Sequence, residues 1–589
     1  MNVLRSLINT GAACLSLLSL SMGQEMNQQF DTLAKDYVDQ FPTLSPVQAT
    51  QVGDHRYDSE LDDVSETGRL ARRSFHQSFL DRLGAIDLDT LSRDRQVEAA
   101  LLKHSLSEAI WSNDVLQEWA WNPTQYTQLT GGAIYGLMAR EFAPIEKRLQ
   151  HAADRLEKMP HLFEQIRVTL VPDRVPAVHA ETAVKQNRGL LSIMDDMIIP
   201  KMGSLDSKER KRLEDAMASA RAALEVHETW LKEKVVTVAK ANFRIGAELF
   251  DQKLSFALQT PLTRLQVRER ADAEFKRCRK EMYDVSKRIY LKQHPFTAFP
   301  EKPSEDYRQA IIRSGLEITY QDAPTRDGIV KAAEEQVAYA NQFIKDNHIV
   351  TPATEPLEII LMPVFQRGVS FAYCDSPGPL DRGLKTYYAV SPIPEDWTDT
   401  QVKSFLREYN TWSMHDLSMH EAIPGHYLQL AHANKYPSTL RALLSSGTFI
   451  EGWAVYSERV MVDAGYLDGD DRMRLINLKW YLRGITNAMI DQAIHVDGMT
   501  EEEAMRLMIE GGFQEEREAA GKWTRAQLTS AQLSTYFVGT LEHWDLRREM
   551  EKVLGKVFNM KTYHDKLLSF GSPPVQFVKA LMLDLPIPK

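Results

Sequence analysis

Three cysteines in 589 residues are too few for a disulfide scaffold. Cys14 lies in the leading segment, which leaves Cys278 and Cys374, nearly a hundred positions apart. Two thiols make at most one disulfide and cannot form a cysteine-based zinc site. Basic excess is also lacking. A formal charge of −11 argues against nucleic acid or an anionic membrane as partner. Past Gly23 no apolar run is long enough to span a bilayer, and there is no internal repeat or low-complexity tract. Stability must therefore come from an ordinary core, for which 43% hydrophobic and 26% charged residues are suited.

The first residues, MNVLRSLINTGAACLSLLSLSMGQ, hold one basic side chain, an apolar stretch of signal-peptide length, and small residues at Ser21 and Gly23. Residues 1–23 read as a cleaved secretory signal, the alternative being a buried N-terminal helix. GAAC has Gly11 where a lipoprotein anchor at Cys14 would want leucine. The expectation is an exported protein, periplasmic or extracellular, with no membrane attachment after cleavage.

From Gln24 to about Lys292 the pattern is helical. After Ser207, Leu213, Met217, Ala220, Leu224 and Leu231 recur at helical spacing among Lys, Arg and Glu, which predicts a core-facing stripe with His227 packed inside it. The proline-rich HPFTAFPEKPSED, ending at Asp306, is the expected boundary between an N-terminal helical part (24–300) and a catalytic part (301–589) of one unit. Strand composition occurs just after it. PLEIILMPV (Pro356 to Val364) and LKTYYAVSP (Leu384 to Pro392) read as strands, with a short strand and turns between them, before helical periodicity returns at Thr400.

Chemistry concentrates in HEAIPGHYLQL, His420 to Leu430. In H-E-x-x-H two histidines one helical turn apart reach a single zinc while the glutamate addresses its water. Here the second histidine arrives two residues late, and six residues of straight helix leave the side chains roughly 120° apart. Pro424 disfavours helical dihedrals at Ile423, and Gly425 permits conformations closed to other residues. One reading is a bulge or break that returns His426 to the side of His420. The other is a helix ending at Ala422, with His426 opening the next and both histidines ordinary. Downstream, FIEGWAVYSERV favours the first reading. Glu451, among Phe449, Ile450 and Trp453, is a candidate third ligand, and a buried carboxylate needs a cation, a metal or a proton. Glu458 lies seven residues on, along the same face. It could replace Glu451, but a contact to a ligand histidine fits it better.

HEAIPGHYLQ, IEGWAVYSE, DQAIHVDGMTEEEA, QLSTYFVG and YHDKLLSFGSPPV, together with NFRIGAELFDQKLSFAL upstream, resemble the DUF885 family of bacterial proteins, filed with gluzincin-type zinc peptidases. The resemblance implies a mainly α, elongated oligopeptidase-like (zincin) fold with a small β-sheet beside the active-site helix and a deep cleft. It implies one zinc ion on His420, His426 and Glu451, with Glu421 as general base. It adds Tyr536 as oxyanion donor, Asp491 and His495 near the site with His495 as a further donor, and Arg525 as either a substrate-carboxylate ligand or a structural ion pair. Ser530-Ala531 and Ala526 depart from the residues usual in the family, which bears on the substrate pocket and not on the metal. The expected reaction is hydrolysis of short peptides. LKTYYAVSP is the expected cleft edge, with Tyr387 or Tyr388 flanking the scissile bond. Hydrolysis of other amides or esters, or binding without turnover, are the competing functions. The sequence is silent on oligomeric state.

Overall fold

Helices make up nearly all the regular structure, as the charged segments with apolar stripes predict. The computed structural model describes the backbone of residues 2–363 and 371–588, and side chains within those ranges from Gly23 onward. The Ser207–Trp230 helix begins at Asp206, whose carboxylate accepts from the backbone N–H groups of Lys208 and Glu209. Leu213, Met217, Ala220 and Leu224 are buried along it, and Leu231 follows just beyond. His227 is sandwiched between Phe163 and Trp230, with ring centroids at 4.8 and 5.6 Å. Burial pushes its pKa down to about 3, so it is a neutral packed ring.

The cores divide elsewhere than at the proline-rich segment. One core runs from Val47 to Ala239. Another joins the Arg264–Gln293 helix, through Cys278, Met282 and Ile289, to the Asp471–Gln492 helix, through Leu475, Leu478 and Leu482. Residues 294–304 only turn the chain from Arg264–Gln293 into Glu305–Thr319, and these two helices pack together in that second core. Proline stops a helix equally well inside a domain and between two, and this core joins residues on both sides of the proline-rich segment. Cys278 and Cys374 are free. Cys278 donates to the Leu478 carbonyl inside this core, at 3.3 Å.

Three strands form the sheet: β1 (Leu357–Leu361), β2 (Ala372–Asp375) and β3 (Thr386–Val390). The order is β1-β3-β2, with β1 parallel and β2 antiparallel to β3. Part of the expected middle strand-and-turn stretch falls on residues 364–370, outside the described residues. The expectation that LKTYYAVSP forms a cleft edge is overturned. β3 has a neighbour on each side, so an extended peptide has no backbone to pair with there. Among the described residues the outer edges of the sheet are those of β1 and β2.

The sheet lies against the first histidine helix, Thr411–Glu421, where the Tyr388 hydroxyl meets the Ser418 hydroxyl at 3.3 Å. The N-terminal half grips the end of β2, because Arg140 and Tyr135 both bond the Asp375 carboxylate, at 2.6 and 2.7 Å. Two further helices meet backbone to backbone: the glutamate helix, Gly447–Asp463, and the tyrosine helix, Ser534–Leu554. A Cβ on Gly452 would stand 2.3 Å from the Gly539 carbonyl carbon, and one on Gly539 would stand 2.0 Å from the Thr448 carbonyl oxygen. Gly452 follows Glu451, and Gly539 lies one turn after Tyr536, so this crossing sets how near those two side chains come. Gly539→Ala should therefore cost at least ~2 kcal/mol, read as a lower urea midpoint with unchanged slope.

Candidate functional site

Asn410 starts the first histidine helix by accepting from the N–H groups of Trp412 and Ser413. Met414, Leu417 and Met419 turn into the core and leave His420 in the last turn, partly exposed. The helix stops at Glu421, and Ala422 takes φ −117° and ψ −83°. Gly425 then caps a second histidine helix, His426–Ala433. The backbone thus follows the broken-helix reading, yet the histidines are not the ordinary residues which that reading supposed. The Gly425 N–H donates to the Met419 carbonyl at 2.9 Å, and the Leu428 N–H to that of Ala422 at 3.2 Å. A Cβ at position 425 would sit 1.9 Å from the His420 carbonyl oxygen, so only glycine allows so tight a return. The Trp453 indole holds the corner by donating to the Pro424 carbonyl at 2.8 Å.

The return brings the imidazoles together, with ring centroids 4.7 Å apart and planes at 86°. Glu451 Oε2 lies 3.7 Å from His420 Nε2 and 3.5 Å from His426 Nε2, and one ligand atom from each residue falls within 4.8 Å of the others. These separations are long for hydrogen bonds but suit ligands around one ion, since tetrahedral donors at zinc distances stand about 3.3 Å apart. Glu451 Oε2 is buried with no hydrogen-bond partner. Burial works against its charge, but the two imidazoles outweigh it and hold the carboxyl far below the ordinary range. The donor set therefore fits a divalent cation.

Behind the cluster, Glu458 lies 2.5 Å from His420 Nδ1 and so leaves Nε2 facing Glu451. Asp416, one turn before His420, was missed in the sequence. Burial, followed by the nearby Glu458 charge, pushes its pKa well up. Asn477 donates to one of its oxygens at 3.1 Å, and the other is buried without a hydrogen-bond partner among the described residues. Glu421 is buried, its Oε2 accepting from the Cys374 N–H of β2 at 3.0 Å. Burial raises its pKa and the neighbouring imidazoles only partly offset that.

Tyr536 is half-buried near the same cluster. Its pKa is raised by burial and then by the charge of Glu451. Arg525 donates to the Tyr536 hydroxyl at 3.1 Å and to the Gln532 side chain at 2.8 Å. Among the described residues Arg525 has no carboxylate partner, which removes the structural ion pair as its role. Asp491 is wholly buried and caps the chain entering the tyrosine helix, accepting from the N–H groups of Ala531 and Ser534 and from the Ser534 hydroxyl. It positions Tyr536 and touches nothing in the cluster.

Three expected residues stand elsewhere. The His495 Nε2–H is taken by the Ala526 and Thr529 carbonyls, at 2.8 and 2.7 Å, and the ring packs between Phe243 and Phe250, so it has no donor to spare for a substrate oxygen. Its four-residue spacing from Asp491 put it on the right helix but could not show which carbonyls cover it. Tyr388 is wholly buried under the first histidine helix. Tyr387, on the opposite face of β3, lies beneath Arg140 of the N-terminal half, 5.8 Å away.

Residues 46–582 match the family model described as bacterial protein of unknown function (DUF885). The chain belongs to this family. A structure of a candidate lipoprotein of unknown function from Shewanella oneidensis is similar at 33% identity and a TM-score of 0.79, over 94% of this chain and 99% of that one. Another, of a candidate lipoprotein from Colwellia psychrerythraea, has 18% identity and a TM-score of 0.75, over 95% and 99%, and shares the fold. No curated protein matches. DUF885 membership thus extends over both halves of the chain and all the site residues above.

Gly425→Ala should break the corner that joins the two histidine helices. We expect a loss of at least ~2 kcal/mol in chemical unfolding, from a clash with backbone that cannot rotate away. Ala422→Gly, three residues upstream in the same corner, should cost less than half as much.

Proposed function

We propose that this DUF885 protein is an exported, zinc-dependent hydrolase of short peptides, related to the gluzincin peptidases. The observation that carries the reading is the convergence of His420, His426 and Glu451 on one point, with a buried Glu451 oxygen that no described residue hydrogen-bonds. Two imidazole nitrogens and one carboxylate oxygen are a three-ligand set of the catalytic type, and the partly exposed His420 and Glu451 leave the cluster open to solvent. Zinc held there would polarise a carbonyl and make a bound water acidic. The remaining chemistry is that of the side chains.

Glu421, next to the first ligand and gripped on one oxygen by β2, takes the proton of the attacking water and hands it to the departing amine. The Tyr536 hydroxyl donates to the carbonyl oxygen as negative charge gathers there, and Arg525, donating to the phenol oxygen, makes that hydroxyl a stronger donor. β2 supplies the edge first assigned to β3. Its Cys374 N–H points away from β3 toward Glu421, so the open edge runs past the general base and can pair an extended peptide there. Export is supported by the signal-like residues 1–23 and by the two similar structures, both described as candidate lipoproteins. Among the described residues no helix is long and apolar enough to cross a membrane.

Metal analysis of the purified protein should find about one zinc per chain, lost in Glu451→Ala and His426→Ala. Glu421→Gln should keep the metal and lower kcat/KM by about 10²–10⁴ on a mixed short-peptide library read by mass spectrometry. A metal-free wild type, or cleavage that survives a chelator, would sink the reading.

A further inference from the structure

The helix Glu516–Leu528 carries a lysine that the proposed hydrolysis leaves unused. Lys522 is only 6% exposed, lying with Ala519, Trp523 and Ala526 on the buried face. Among the described residues it has no hydrogen bond and no carboxylate within ion-pair distance, and the enclosure of its side chain leaves the ammonium little contact with water, which is costly. The acids around it are engaged elsewhere. Glu518 binds Arg483 at 2.9 Å and Tyr409 at 2.7 Å, and Glu408 binds Lys479 at 2.8 Å. Glu451 faces the two imidazoles. One turn further along, Arg525 likewise has no carboxylate and holds the Tyr536 hydroxyl.

Two neighbouring cations without an anion, one of them bonded to the tyrosine that faces the cluster, describe an anion site. No described residue fills it. We infer that Lys522 and Arg525 bind a substrate carboxylate beside Tyr536, which makes the proposed enzyme one that works from the free C-terminus of short peptides. The inference rests on the hydrolase reading for the identity of the ligand, while the site itself stands on the unpaired cations. Burial and the neighbouring guanidiniums of Arg483 and Arg525 hold the Lys522 pKa well below its ordinary value, and an arriving carboxylate would offset both effects.

Isothermal titration calorimetry of the full-length protein with benzoyl-Gly-Gly and with its C-terminal amide tests the site without requiring turnover. The free acid should bind at least about tenfold more tightly, and Lys522→Met should reduce the ratio to below about threefold. In the ligand-free protein the same substitution should raise the thermal midpoint, because it removes a buried cation that has no partner. Lys522→Gln serves where the methionine variant does not fold. An amide ending in aspartate adds an arm. If it binds as the plain amide does, the carboxylate is that of the C-terminus, as inferred; if it binds as the free acid does, a side-chain carboxylate serves equally well and the C-terminal assignment is overturned. Equal affinity for acid and amide in the wild type, an unchanged ratio in Lys522→Met, or a lowered thermal midpoint would each overturn the site itself. If wild type cleaves no peptide, the hydrolase reading fails, and the affinity ratio still decides whether the carboxylate site exists.

Discussion

Everything at the site depends on one backbone contact, the approach of Gly425 to the His420 carbonyl. An α-helix separates residues six positions apart, and no choice of rotamer brings imidazoles at those positions to a single point. The chain solves this by ending one helix at Glu421 and opening another at His426, with the corner folded so closely that a methyl group would overlap the preceding turn. Three hydrogen bonds across the corner, from Ile423, Gly425 and Leu428, keep its polar groups satisfied despite burial. The Trp453 indole ties the corner to the helix that carries Glu451, so both halves of the cluster move as one body.

A second close approach works in the same way at larger scale. The Gly452–Gly539 crossing lets the glutamate and tyrosine helices touch through their backbones, where larger residues would hold them apart. Carboxylates then fix what the backbone has placed. Glu458 orients His420, and behind it Asn477 donates to Asp416, whose burial beside the Glu458 charge raises its pKa. Among the described residues one Asp416 oxygen is left without a hydrogen-bond partner, so this side of the cluster is buried polar structure that the protein maintains at a cost.

The helical class, the strand positions and the three converging residues were legible from periodicity, β-branched composition and the unusual His-Glu spacing. Gly425 was legible as a special position, because proline followed by glycine between two histidines has few other uses. What could not be read is what depends on contacts between distant segments. Sheet order is one such case, since LKTYYAVSP has the composition of a buried strand and nothing local says on which side its neighbours lie. His495 is another: its burial by the 526–529 carbonyls depends on a helix thirty residues away. Asp416 and Lys522 left signals that were passed over. Asp416 is one turn before a candidate ligand, and Lys522 interrupts the buried stripe of Ala519, Trp523 and Ala526, where a lysine is out of place.

The N-terminal half also has a part in the site although it contributes no group to the cluster. Glu421 is held by the Cys374 N–H, and β2, a four-residue strand, has among the described residues only β3 beside it. Short edge strands are weakly held by their ladders alone. Arg140 and Tyr135, from the N-terminal half, clamp Asp375 at the end of β2 and so fix the residue next to Cys374. The orientation of Glu421 therefore depends on side chains more than two hundred positions upstream. A C-terminal part cut free at residue 300 would keep every candidate ligand and lose the support of the strand that aims Glu421. This coupling gives a physical reason why one family model spans residues 46–582 and does not stop at the histidine region.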